Sequence, residues 1–339
     1  MICVFGSEAA IEMMKRKPRK TKFKEDRISS LPDCLLVDII SRLPDTEEAV
    51  ATGKLSKRWK HLWPQVYNLI FKHEDDCDNR IRKFFSFVDK FLSQRGQSNI
   101  NEFILHCSFE NWTKSQVNNY IRYAINHNVQ VVDLDLWDYC QGTGFVLPEF
   151  FFISSSFIHL RLHVCEFDQT GVIRWKNLKS LSITCGVLHE DLIQNILSGS
   201  PRLETLVLND CGGFDRLDIT NKSVKNLVLS GLDEHEADSI KINAPYILSL
   251  TVQDRVSVLK LLLLNVSSVI KAELNYYYKK TYFGPEEMHG EMLKGLILSL
   301  GHVKELKIRK LCLEALARLK SEGFICPSNL KVLEEIDSN

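Results

Sequence analysis

The feature that most constrains the fold is a short strand pattern that recurs along the chain from about residue 100. In each copy two apolar residues flank one other residue, as Leu160 and Leu162 do in HLRLH. Measured between second apolar residues, the successive steps are 31, 26, 21, 25, 21, 23, 22 and 34 residues. Such steps predict a solenoid in which every repeat adds one strand to a shared parallel sheet. The pairs are Phe103/Leu105, Leu134/Leu136, Leu160/Leu162, Leu181/Ile183, Leu206/Leu208, Leu227/Leu229, Leu250/Val252, Ala272/Leu274 and Leu306/Ile308.

Most of these steps fall in the range of roughly 20 to 29 residues that is typical of leucine-rich repeats. The two long steps need insertions, and each contains apolar residues at helical spacing. These are Val117, Ile121, Ala124 and Ile125 in the first step and Met288, Met292, Leu296 and Ile297 in the last. A sandwich of alternating strands is the competing interpretation, but strands separated by about 20 to 25 residues are too sparse for it.

Two cysteines support the repeat interpretation. Cys165 and Cys211 each lie three residues after the second leucine of a strand, where this architecture takes Asn or Cys. A small buried polar group there can hydrogen-bond the turning backbone, so both thiols are predicted to be structural rather than reactive. Asn is absent from this position and the steps are uneven, which indicates a degenerate array.

Residues 27–71 have a different character, with short helices punctuated by proline. Pro32 suits the first turn of a helix, and Pro44 ends that helix. Asp45 and Glu48 then form a D-x-x-E capping box for a second helix. Two further short helices cannot cover the first one on every side, because a unit this small has little core of its own. The surplus of apolar residues therefore predicts a partner protein that covers one face.

The third helix is predicted to run from Ser56 to Trp63 within LSKRWKHLW, where Pro64 ends it. The basic residues suggest a nucleic-acid strip with two stacking tryptophans. However, Trp59 and Trp63 are four residues apart and share one helical face, so both can be buried instead. Formal net charge is zero, so no global field favours nucleic acid. The basic run at residues 15–24 is compatible with a nuclear localisation signal or with a solvated tail.

Between these regions lies an amphipathic helix with apolar residues at i, i+3, i+4, i+7 and i+8. They are Phe84, Phe87, Val88, Phe91 and Leu92. We expect this helix to act as an N-terminal cap on the first repeat.

With these features the chain resembles the F-box/leucine-rich-repeat proteins of plants. The resemblance rests on most of the helical region and, more loosely, on SPRLETLVLNDC and NLKSLSITC. The matching F-box residues are Asp26-Arg27-Ile28-Ser29, Leu31-Pro32-Asp33, Leu35-Leu36, Ile39-Ile40, Leu43-Pro44, Leu55-Ser56-Lys57-Arg58-Trp59, Leu62-Trp63 and Leu69 to Phe71. Gly53 departs from the pattern, which usually has Thr or Ser there.

The resemblance implies an α/β chain in which a small three-helix F-box precedes an irregular leucine-rich-repeat solenoid. Its parallel β-sheet would line the concave side, with helices and loops on the convex side. We expect a basic tail at 1–25, the F-box at 26–72, a linker with the capping helix at 73–100 and the repeats at 101–339.

The resemblance also implies that the F-box docks onto a Skp-type adaptor and, through it, onto the cullin of an SCF ubiquitin ligase, while the repeats hold a substrate protein. The expected adaptor interface is Leu31, Pro32, Leu35, Ile39, Leu43, Val50 and Trp59. Spacing alone leaves open which of these turn inward, and whether Trp59 faces the core or the partner.

Residues beside the paired leucines project from the concave sheet, since neighbours alternate across a strand. The candidates for contact with a substrate are Asp135, Trp137, His159, Arg161, His163, Thr205, Asn209, Lys307 and Arg309. Trp137 is the best single candidate, because a large exposed aromatic is a common interface anchor. For each of the others, an outward polar residue that merely keeps the sheet soluble is an equally good interpretation.

No phosphate-binding loop, dinucleotide-binding turn, nucleophile elbow or zinc-protease helix occurs in the sequence. We therefore expect a non-catalytic receptor without cofactor or metal, and neither a nucleic-acid nor a membrane partner. The N-terminus lacks the order of charge and apolar residues of a secretory signal, so we expect a protein of the nucleus, the cytoplasm or both. The alternative function is a repeat scaffold that acts outside ubiquitin ligases.

Overall fold

The computed structural model describes residues 28, 30–73, 78–110, 112–138, 144–167, 171–232, 239–256, 260–278 and 287–332. The predicted basic tail at 1–25 and the motif residues Asp26, Arg27 and Ser29 lie outside these ranges. Among the described residues, no helix combines the length and the apolar composition that crossing a bilayer requires.

The F-box begins with two short α-helices, α1 (Asp33–Ser41) and α2 (Thr46–Ala51). Pro32 stands at the N-cap of α1, and the Asp45 carboxylate accepts a 2.7 Å hydrogen bond from the Glu48 backbone N–H, as the capping box predicts. The predicted third α-helix is wrong. The predicted span instead contains a 3₁₀ turn at Trp59–His61, which is preceded by one at Thr52–Lys54 and followed by one at Trp63–Gln65.

The rest of the described chain consists mainly of strands, with helices in some of the connections between them. In chain order the strands are β1 (Asn68–Lys72), β2 (Glu102–Phe109), β3 (Val131–Asp138), β4 (Phe145–Val146), β5 (His159–His163), β6 (Cys165–Glu166), β7 (Ser180–Thr184), β8 (Thr205–Asn209), β9 (Arg216–Asp218), β10 (Asn226–Leu232), β11 (Ser239–Asn243), β12 (Ser249–Val256), β13 (Lys260–Leu264), β14 (Lys271–Tyr278), β15 (Glu305–Ile308) and β16 (Leu330–Val332). The remaining helices are α3 (Asp78–Gln94), α4 (Lys114–Asn126), α5 (Glu149–Phe152), α6 (Glu190–Gly199), α7 (Glu287–Ser299) and α8 (Leu313–Ser321), with a 3₁₀ turn at Lys310–Cys312.

Within the described ranges, eleven strands form one parallel sheet in the order β1-β2-β3-β5-β7-β8-β10-β12-β14-β15-β16. Every predicted strand belongs to this sheet, and its paired apolar residues are buried. The sandwich is therefore excluded. The predicted helical insertions are α4 and α7. A second, smaller sheet of β9, β11 and β13, which the sequence analysis did not predict, lies after the turns of three successive repeats.

The expectation that α3 caps the first repeat needs correction. The structure places β1 at the edge of the large sheet, paired in parallel with β2, and α3 is the crossover between these two strands. The last strand of the F-box region therefore starts the solenoid, because Leu69 and Phe71 continue the inward apolar rows of Phe103 and Leu105.

The register of β3 also differs from the prediction. Leu105 pairs with Leu134, and Leu134 pairs with Leu162, so the inward pair of this repeat is Val132 and Leu134 rather than Leu134 and Leu136. Strand β3 is long and has three apolar residues on its inward side, and a two-residue period cannot select among them. Asp133 and Asp135 consequently lie beside Arg161 and His163.

Five repeats share one backbone conformation at or near the carboxyl end of their strands. Residues at equivalent positions have positive φ, at Val164, Cys185, Asp210, Gly231 and Asp254. Their backbone N–H groups bond across the repeats, as Cys185 does to the Asn209 carbonyl at 2.9 Å. The thiols of Cys165 and Cys211, one residue later, are buried and donate to backbone carbonyls, as predicted. Burial also raises the pKa of Cys211 to about 12.

Candidate protein-binding surfaces

Helix α1 has two apolar faces. Leu36 and Ile40 are buried in the F-box core, whereas their neighbours Leu35 and Ile39 keep 48% and 44% of their surface exposed. Residues one apart on a helix point about 100° away from each other, which separates the two pairs. Helix α1 therefore displays an apolar strip of Leu35 and Ile39 that no described residue covers.

The other predicted adaptor residues lie around this strip at different depths. Pro32 is exposed beside α1, while Leu31, Leu43 and Val50 are partly buried and pack against the core. Trp59 has only 6% of its surface exposed, so its ring belongs to the core of the free chain.

Two further apolar residues, Ile28 and Leu55, are exposed and were not predicted as contacts. Helical spacing would place Leu55 on the same face as Trp59 and Leu62, so its exposure follows only from the 3₁₀ turns that form there.

The F-box is fixed to the start of the sheet by specific hydrogen bonds. The Thr46 hydroxyl accepts a 2.8 Å bond from the Ile70 N–H, and the Ser41 hydroxyl accepts one of 3.2 Å from the Tyr67 N–H. The Tyr67 hydroxyl donates to Asp38, and this bond lowers the pKa of the Asp38 carboxyl. These contacts hold α1 in a fixed orientation against β1.

Of the basic residues in LSKRWKHLW, Lys57, Lys60 and His61 are exposed to solvent, whereas Arg58 bonds the start of α1. Arg58 donates a 2.8 Å bond from Nε to Asp33 Oδ1 and also bonds the Leu31 carbonyl. Trp63 lies against Phe91 of α3, with 5.3 Å between ring centroids. Both tryptophans therefore pack into the fold, as the i, i+4 spacing predicts.

The concave face of the large sheet begins with a network of charges. Asp133 accepts hydrogen bonds from His106 Nε2 at 3.0 Å and from Arg161 Nε at 2.7 Å. Burial alone would raise the pKa of Asp133, but the bonds from His106 and Arg161 outweigh it and the net pKa is lowered. Glu102 lies 3.8 Å from Arg161. These charges are largely satisfied by one another.

Next to this network, His163 Nδ1 lies 2.6 Å from Asp135 Oδ1. His159 is exposed on the same strand as His163. Trp137 lies further along β3, opposite Ser108, and is 39% exposed. The structure therefore brings the candidates on β3 and β5 together at one end of the concave face.

The other candidates lie further along the same face. Thr205 and Asn209 project from β8, while Lys307 and Arg309 lie at the far end of the sheet and are half-buried. Arg309 pairs with Glu273, and Lys307 lies 3.7 Å from Glu305. A hydrogen bond from Lys331 and the charge of Lys307 lower the pKa of Glu305. Strand β8 is separated from β5 by β7 alone, but three strands separate it from β15, so the candidates do not all form one compact site.

None of these clusters has the composition of a metal site. In the part of the chain that the structure describes, no three His, Cys, Asp or Glu side chains are placed to hold a metal ion. The first surface offers apolar contact at α1, and the second offers polar and charged groups on the sheet.

Comparison with known proteins agrees with this architecture. A family model of the F-box domain matches residues 28–71, and one described as FBD-associated F-box protein At5g56370, LRR repeats, matches residues 117–274. F-box/LRR-repeat protein 25 of Arabidopsis thaliana is 30% identical over 236 residues, which cover 68% of this chain and 86% of that protein. The chain belongs to the F-box/LRR-repeat family.

A second member of the F-box/LRR-repeat family, protein At5g02910 of Arabidopsis thaliana, is 34% identical over 262 residues, or 75% of this chain and 53% of the relative. The chain spans about half the length of several family members that it matches. The predicted family and fold class are confirmed, namely an α/β chain with an F-box followed by a parallel leucine-rich-repeat sheet.

Proposed function

We propose that this chain is the substrate-recognition subunit of an SCF-type ubiquitin ligase. In this proposal the F-box binds a Skp-type adaptor, which connects it to cullin, and the repeats bind a target protein. The chain contributes binding and orientation, and it raises the effective concentration of the target near an enzyme supplied by other subunits.

The observation that supports this proposal best is the exposed strip of Leu35 and Ile39 on α1. Each side chain is about half exposed, although its neighbour on the same helix is fully buried. Covering apolar surface stabilises a complex by roughly 25 cal/mol per Å². A partner with a complementary apolar groove would therefore gain affinity from this strip without any rearrangement of the F-box, because hydrogen bonds to β1 already fix α1.

The adaptor hypothesis is tested by measuring the affinity of the 339-residue chain for a purified Skp-type adaptor. The double variant Leu35→Asp, Ile39→Asp should bind at least about 100-fold more weakly, because two charges would be buried in an apolar interface. The matched control is Ile153→Asp, Leu298→Asp, which makes the same changes at two exposed positions of the repeat region. Equal binding by the two double variants would contradict the proposal.

The same preparation separates the ligase from the scaffold. If the adaptor-bound chain also captures cullin, the ligase hypothesis is supported. Adaptor binding without cullin would favour the scaffold function instead. Target proteins can be trapped by affinity capture under proteasome inhibition with the adaptor strip mutated, because captured targets are then not degraded.

We further propose that the target contacts the concave face near Trp137. This ring is exposed on β3, four residues beyond Asp133 and its bond to Arg161, so an incoming protein would meet one large apolar group on a mostly polar part of the sheet. Trp137→Ala should weaken capture of any target identified in this way and leave adaptor affinity unchanged. Unchanged capture of every target would contradict the role of Trp137.

A further inference from the structure

Three side chains from different repeats meet at the carboxyl ends of the strands on the concave side. Cys185 directly follows β7, has a φ of 55° and is exposed. Its Sγ lies 3.9 Å from His163 Nε2, while His163 Nδ1 lies 2.6 Å from Asp135 Oδ1. A nucleophile, a base and a group that orients the base are thus arranged in sequence.

The hydrogen bond to Asp135 fixes which nitrogen of His163 faces the thiol as an acceptor. An ionised carboxylate can only accept, so Nδ1 of His163 must carry the proton that is shared with Asp135. In the neutral ring, Nε2 then presents its lone pair to the Cys185 thiol. The geometry allows His163 to remove the thiol proton directly.

The charges around Cys185 make such a base necessary for reaction at neutral pH. Partial burial of the thiol and the carboxylates of Asp210 and Asp135 raise the pKa of Cys185. Asp210 itself lies 3.8 Å from Arg255, so its charge is only partly balanced. Little thiolate therefore exists in advance, and reaction requires that the proton leave as the sulfur attacks.

We propose that Cys185 is a nucleophilic thiol that undergoes exchange with small uncharged disulfides, with His163 as the general base and Asp135 as its positioning residue. His163 Nε2 accepts the thiol proton while the Cys185 sulfur forms a bond to one sulfur of the disulfide. The disulfide bond breaks, and its other sulfur leaves as a thiolate, which takes the proton back from His163. Cys185 is oxidised to a mixed disulfide, and one equivalent of small thiol is released.

Uncharged reagents are favoured over anionic ones because Asp135 and Asp210 repel anions. This site goes beyond the proposed function, since neither adaptor nor target binding requires a reactive thiol.

The chain contains an internal control for this proposal. Cys34 is also exposed, and its thiol forms no hydrogen bond with any described residue. Cys165 and Cys211 are buried, and their thiols donate to carbonyl groups. Among these four cysteines, only Cys185 is both exposed and next to an imidazole. A difference between Cys185 and Cys34 in the rate of mixed-disulfide formation therefore reports on the base.

The test measures mixed-disulfide formation at each cysteine of the whole chain at pH 7, with 2-hydroxyethyl disulfide as the reagent and mass spectrometry of peptides as the readout. Cys185 should react faster than Cys34. His163→Ala should slow Cys185 by at least about tenfold and leave Cys34 unchanged, because general-base assistance is lost. Added imidazole should restore much of the rate at Cys185 in this variant, which a purely structural role of His163 would not predict.

Asp135 is tested through its dependence on His163. Asp135→Asn should slow Cys185 in the otherwise unchanged chain but should not slow it further when combined with His163→Ala, because Asp135 assists the reaction only through the imidazole. The unchanged rate at Cys34 and the thermal unfolding midpoint report whether each variant is folded. The proposal is overturned if Cys185 reacts no faster than Cys34, or if a folded His163→Ala variant keeps the original rate.

Discussion

The F-box and the concave sheet expose opposite kinds of surface. On α1, Leu35 and Ile39 are exposed beside buried residues of the same type, and no residue of the described chain covers them. On β3 and β5, the outward positions are instead mostly polar, although Trp137 is exposed there, and Asp133, Arg161 and His106 satisfy one another. An exposed apolar strip on a fixed helix suits one permanent partner, whereas a self-satisfied polar surface can remain in water until a target replaces its contacts.

The comparison is sharpest within α1, where neighbouring leucines differ only in burial. Leu36→Ala should lower the free energy of unfolding by about 2 to 5 kcal/mol, because it leaves a cavity in the F-box core. Leu35→Ala should change it by less than about 0.5 kcal/mol, since this side chain is already half exposed. Urea denaturation of both variants, followed by tryptophan fluorescence, measures the difference. Similar losses for the two variants would mean that Leu35 belongs to the core and that α1 has no free apolar strip.

The sheet depends on close packing at the ends of its strands, in contrast with the exposed strip of α1. Gly231 has a φ of 60°, and a Cβ there would lie 2.1 Å from Asp210 Oδ1. Gly231→Ala should therefore lower the free energy of unfolding by about 2 kcal/mol, through backbone strain and displacement of Asp210.

The matched control for Gly231 is Gly323→Ala, since Gly323 has a φ of 91° but open space around it. This change should cost only the backbone strain, about 1 kcal/mol. Thermal or urea denaturation measures both losses of unfolding free energy. Equal losses for the two variants would mean that displacing Asp210 by the new Cβ costs nothing.

Most of the repeat region could be predicted because its period is imposed by backbone geometry. Each strand needs two inward apolar residues. The recurrence of these pairs identified the strands of the large sheet that lie between β1 and β16. The predicted inward pair of β3 was wrong, because Val132, Leu134 and Leu136 are all apolar. Only pairing with the neighbouring strands selects the register. The small sheet of β9, β11 and β13 was missed, since an alternating segment does not reveal which of two sheets it joins.

The candidate surfaces were predictable to a similar degree. Leu35 and Ile39 were identified from the sequence as apolar residues that a partner would cover. The burial of Trp59 and the exposure of Leu55 could not be predicted in the same way, because they depend on how 3₁₀ turns replace a helix. Asp135 and His163 were predicted to point outward. Their pairing, and the approach of Cys185, could not be predicted, because the three residues come from separate repeats and meet only in the observed register.

The charged end of the sheet should also make its stability depend on pH, unlike the apolar strip of α1. The pKa of Asp133 is lower in the folded chain than its ordinary value, so the ionised carboxylate favours folding. This contribution is fully present above the ordinary Asp pKa of about 4 and is lost as the pH falls through the lowered folded value.

Asp133→Asn should therefore reduce the free energy of unfolding at pH 5 by about 1 kcal/mol, because the ionised partner of His106 and Arg161 is lost. The difference between the variant and the original chain should shrink as the pH is lowered from 5 towards 2, since protonation then removes the same charge from the original chain. Denaturant titrations at several pH values measure this convergence. Parallel curves down to pH 2 would mean that Asp133 stabilises the sheet by packing alone, and the outward face of the sheet would then not be held by charge.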